Sequence, residues 1–177
     1  MNAVVALVLS QVALSAPALP AARPAPWPSV AAWQDGSEPR AVHLEPSLVA
    51  ERDGTAARAE ALRRRGAAVH RVQGRMRLWR VAAAPAELAA DAALLPVYRD
   101  ERGGRLRVPL GAVLVVPRPG TTAEALRATL GAGAVLEAQV VRLEVPARDV
   151  FARCQQLASM PGVAWAQPDW WVAARPK

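Results

Sequence analysis

What most limits the folds open to this chain is the way its apolar residues change period between Gly111 and Ala166. Val113 to Val116 is a short apolar run suited to a buried strand. Thr121 to Leu130 then sets Ala123, Leu126 and Leu130 on one helical face, with Gly131 as a stop signal. Val135 to Gln139 and Val140 to Val145 read as strands, the second alternating Val141, Leu143 and Val145 with Arg142 and Glu144. Val150, Phe151, Cys154, Leu157 and Ala158 recur at the spacing of an amphipathic helix. Pro161 and Gly162 end that helix, and Val163 to Ala166 forms the closing strand.

The order strand, helix, strand, strand, helix, strand predicts an α+β class, with a ferredoxin-like β-α-β-β-α-β unit in the C-terminal half. The first half can be laid over the same order as a degenerate duplicate. Val42 to Glu45 is a weak strand, Thr55 to Arg65 a helix with Ala59 and Leu62 inward, and Ala68 to Val72 a strand. Gly74 marks a turn, Met76 to Val81 a further strand, Pro85 to Leu94 a helix entered through proline, and Pro96 to Tyr98 a short strand. Leu62 then corresponds to Leu126, Trp79 to Glu144, and Val97 to Val163. Arg99 to Arg107, with Gly103 and Gly104 inside it, reads as an exposed turn between the halves.

Ahead of these halves, Val4 to Ala16 is mostly apolar, with small residues around Ser15, Ala16 and Ala18. It fits a cleaved secretory signal over residues 1–22 and is too short and interrupted for a membrane span, so a secreted or periplasmic protein is expected. Residues 23–40, rich in Pro, Ala and Ser, are expected to be a flexible lead-in. The folded part then divides into 41–105, the possible repeat, and 106–171, with 172–177 as an extended tail. The single cysteine, Cys154, excludes an internal disulfide. A net charge of +7 raises nucleic acid as a partner. However, every basic residue except Lys177 is arginine, and the densest run, Arg63 to Arg65, closes a helix whose dipole favours cations there. No nucleic-acid partner is expected.

Nothing in the chain assembles a catalytic set. His43 and His70 lie outside any metal motif, one cysteine supplies no zinc site, and there is no Gly-x-Ser-x-Gly elbow or phosphate-cradling glycine loop. No enzyme activity, metal or cofactor is expected. Cys154, within an apolar stripe, reads as a small core residue. Trp165 is expected on the same buried face as Val163. Trp170 and Trp171 must point to opposite sides of an extended chain, so the choice for one of them lies between an interface role and closing the core edge.

The segments Gly111 to Val116, Leu157 to Gly162, and Val163-Ala-Trp-Ala-Gln-Pro-Asp-Trp-Trp171 together resemble the propeptides of subtilases, the subtilisin-like serine proteases. The resemblance covers roughly Leu106 to Trp171. It implies a prodomain that assists folding of the protease as a chaperone, rests its sheet on two surface helices of the enzyme, and blocks the substrate cleft with its C-terminal tail. With no protease domain following, such a chain would act in trans on a separate subtilisin-like serine protease. The protease-binding residues implied are Trp170, Trp171, Val172, Ala173, Ala174, Arg175, Pro176 and Lys177. Two alternatives stay open: a non-catalytic protein-binding module, and an orphaned N-terminal fragment of a protease precursor.

Overall fold

The structure, a computed structural model, describes residues 27–174 apart from 37, 83–87, 89 and 103. The expected signal segment lies outside these residues, as do residues 85–87 and 89 of the helix expected over 85–94; the rest of that expectation is corrected, because residues 90–93 are non-helical and Leu94 already begins a strand. In chain order the elements are β1 (Val30–Asp35), β2 (Glu38–Arg52), α1 (Ala56–Arg64), β3 (Ala68–Gln73), β4 (Met76–Arg80), β5 (Leu94–Asp100) and β6 (Leu106–Pro117). There follow α2 (Ala123–Leu130), β7 (Ala134–Glu137), β8 (Val140–Glu144), α3 (Val150–Ala158) and β9 (Val163–Val172).

The expected α+β class, with a ferredoxin-like unit and its duplicate, is overturned. The described residues form one β-rich, nine-stranded sheet with three helices, ordered β3-β4-β2-β5-β6-β8-β7, with β1 beside β2 and β9 beside β6. Every strand pair is antiparallel. The cause is the length of two strands. β2 has 15 residues and pairs with β1, β4 and β5. β6 has 12, and pairs with β5 through Leu106 and Arg107 before meeting β8 and β9. A strand shared by both halves removes the boundary between them.

Pro109 and Gly111 hide this continuity from a periodicity reading. The β6–β9 register shifts between Pro109 and Val113, and Gly111 there has φ +80, a conformation that favours glycine. A Cβ at Gly111 would also stand 3.2 Å from the carbonyl oxygen of Val145.

Residues 30–35 and 38–40, expected within a flexible lead-in, instead form β1 and the start of β2. Alternation sets Ala31 and Trp33 inward, and Trp27 is buried near α1 beside Ala59 and Leu62. Two of the three helices, α1 and α2, are held at their starts by threonine: Thr55 Oγ1 accepts from the Arg58 amide at 3.2 Å, and Thr122 Oγ1 from the Ala125 amide at 3.1 Å. α2 and α3 cover one face of β6, β8 and β9, burying Leu126, Val150, Cys154 and Leu157 against Val113, Val115 and Val141. Toward the other end a second core gathers Leu48, Leu78, Val97, Val108 and Ala173.

Candidate functional site

The residues expected to bind a protease begin inside the chain's own sheet. Trp170 pairs with Pro109 across β6 and joins an aromatic cluster, with ring centroids 5.1 Å from Trp33, 5.8 Å from Phe151 and 6.5 Å from Tyr98. The Arg107 guanidinium stands 5.8 Å from its ring centre. Trp171 faces the opposite way, against the core of Leu48 and Val108. Both rings therefore close the core edge, one from each side of β9, as alternation along a strand requires.

Val172 pairs with Arg107, and the Ala173 amide donates to the Leu106 carbonyl at 3.0 Å with its methyl group buried. The Ala174 amide donates to Gln73 Oε1 at 3.0 Å, and Arg71 Nη1 donates to the Ala174 carbonyl at 3.0 Å. Through residue 174 the tail is thus tied to β6 and β3. Arg175, Pro176 and Lys177 lie outside the described residues.

A different surface is open. On the side of the sheet away from α2 and α3, cross-strand pairing lines up Val135, Arg142, Leu114 and Gln167 in one row. A neighbouring row runs from Glu137 through Val140 toward Val116 and Trp165. Val135 is 52% exposed, and Leu114, Val116, Val140, Trp165 and Gln167 are half-buried. Arg142 lies at the centre of this face with three carboxylates around it: Asp169 at 3.2 Å, Glu137 at 3.7 Å, and Glu144 in direct contact. An open groove of about 540 Å³ continues the face between Val116, Trp165, Val140 and the start of α2 at Thr121 and Thr122.

Trp165 reaches this face for a reason the sequence hides. The β6–β9 register shifts between Val116 and Pro117, so Val163 and Ala166 turn toward the helices while Trp165 turns away from them. The expected placement of Trp165 in the core beside Val163 is corrected accordingly. Alternation along β8, which already set Arg142 and Glu144 opposite Val141 and Leu143, was the one sequence signal for the face. Its apolar half was missed because Leu114 and Val116 sit inside a continuous apolar run.

The groups with chemical potential lie apart. Burial pushes the Cys154 thiol up to about 12, so it is not a thiolate nucleophile at neutral pH. His43 meets Glu101 at 2.6 Å on the exposed side of β2, and His70 stands on β3. Among the described residues no group of three or more His, Cys, Asp or Glu side chains is placed to hold a metal ion, and no helix is long and apolar enough to cross a membrane. No family model, curated protein or solved structure matches the chain.

Proposed function

We propose that this chain is a non-catalytic protein-binding module whose partner is a subtilisin-like serine protease, engaged in trans through the open sheet face. The observation that carries the reading is that face: apolar rows of Val135, Leu114, Val116, Val140 and Trp165, bordered by charge and uncovered by any described element. A rigid sheet face presents its side chains without an ordering cost, which is what tight association between folded proteins favours. The partner class comes from the resemblance of Leu106 to Trp171 to subtilase propeptides. Residues 170–174 are engaged within the chain, so the face takes the role of primary contact, and any entry into a cleft is left to the segment after Ala174.

The test is a peptide-hydrolysis assay of subtilisin-type proteases titrated with the full chain and with a truncation ending at Ala174. The reading expects slowed hydrolysis by the full chain, with binding of the truncated chain retained even if inhibition weakens. Failure of both chains to bind or inhibit any subtilisin-type protease would overturn the partner class.

A further inference from the structure

A second surface lies at the far edge of the sheet. Among the described residues β3 pairs with β4 and with no other strand, so one row of its main-chain N–H and C=O groups has no ladder partner there. Ala174, the last described residue, meets β3 through the side chains of Arg71 and Gln73 rather than through its ladder groups. Val69 is 45% exposed and Val72 59%, two of the four large apolar residues most open to water among the described residues.

The segment that carries this edge is basic. Between Glu60 and Glu87 the sequence carries Arg63, Arg64, Arg65, Arg71, Arg75, Arg77 and Arg80 and no Asp or Glu. Arg63, Arg75 and Arg77 are paired with Glu60, Asp53 and Glu51. For Arg64, Arg65, Arg71 and Arg80 no carboxylate lies within ion-pair distance among the described residues. Arg64 and Arg65 lead directly into β3, and His70 and Arg71 stand on it.

We infer that the β3 edge accepts an extended acidic segment of a partner protein as an added strand. Main-chain hydrogen bonds would supply the pairing, Val69 and Val72 the apolar contacts, and Arg64 and Arg65 the preference for Glu or Asp. A second copy of this chain is the poorer occupant, because an antiparallel β3 pair would set His70 and Arg71 against their own kind. The register shift between Val69 and Arg71 also blunts the edge against self-pairing, yet it leaves Arg71 to Gln73 regular. Nucleic acid would use the arginines alone and make no use of the free ladder.

The inference is independent of the protease reading and is tested separately. The full chain is titrated with a labelled eight-residue peptide of alternating Glu and Val, with a version interrupted by proline, with a version carrying Lys for Glu, and with a single-stranded oligonucleotide. Amide hydrogen exchange is followed over residues 68–73. Protection of these amides by the Glu-Val peptide alone is the expected result, and Arg64→Glu with Arg65→Glu should weaken binding about tenfold or more. Equal binding of the proline-interrupted peptide, protection by the oligonucleotide alone, or no protection at all would overturn it. So would a dimer of the free chain that itself protects residues 68–73.

Discussion

Trp170 illustrates how a residue that reads as a binding anchor can be consumed by its own fold. Its ring lies among Trp33, Tyr98 and Phe151, while its indole nitrogen is buried without a hydrogen-bond partner. Truncation and polar loss therefore separate cleanly. Trp170→Ala should cost about 3 kcal/mol in denaturant unfolding, whereas Trp170→Phe, which removes an unpartnered donor, should cost less than about 1.5 kcal/mol. Glu51 is the opposite case, a buried carboxylate held by Trp79 Nε1 at 3.2 Å and flanked by Arg58 at 3.6 Å and Arg77 at 3.7 Å. A Cβ on Gly54 would come within 2.0 Å of its carboxyl carbon. The carboxylate cannot swing away without losing those partners, so Gly54→Ala should destabilise the fold by about 1–3 kcal/mol, measured the same way. Nothing in the local sequence marks this cluster, because Glu51, Arg58 and Trp79 meet only once β2, α1 and β4 have packed.

At the level of the elements, α2, α3, β7 and β8 were legible because each keeps one period over its length and ends at a glycine, a proline or a turn. β1 and the long β2 were not. β1 buries only Ala31 and Trp33, downstream of proline-rich sequence, and β2 changes neighbours between Leu44 and Val49, which breaks its alternation. Gly111 interrupts β6, so periodicity marks only its segment Val113 to Val116. Gly111→Ala should destabilise by about 1–3 kcal/mol, since it combines φ +80 with a close carbonyl. A contact between β5 and β2 also carries a pH signature. The hydrogen bond from Arg99 holds the Glu45 carboxyl below its ordinary value of 4.5, with partial burial opposing. A depressed folded pKa contributes stability that is present above the unfolded value and lost as pH falls through the folded one. The stability of the wild-type chain should therefore decline below about pH 4.5, and Glu45→Gln should flatten that decline.

For the molecule as a whole, the continuous sheet matters more than either half. β6 couples the aromatic cluster, the helix-covered core and the core around Val108, so unfolding followed by tryptophan fluorescence and by far-UV circular dichroism should give coincident midpoints. A local pattern could suggest each strand–helix unit but not this sharing, since register shifts and strand length are decided by pairing across long separations. The same sharing ties residues 170–174 into the sheet and leaves the face around Arg142 as the broad open surface. Amide hydrogen exchange of the full chain, with and without a saturating subtilisin-type protease, tests that assignment most directly. Slowed exchange in β7, β8 and the Trp165 end of β9, abolished by Val135→Asp, is the expected result; unchanged exchange there, with new protection confined to the chain end, would contradict it.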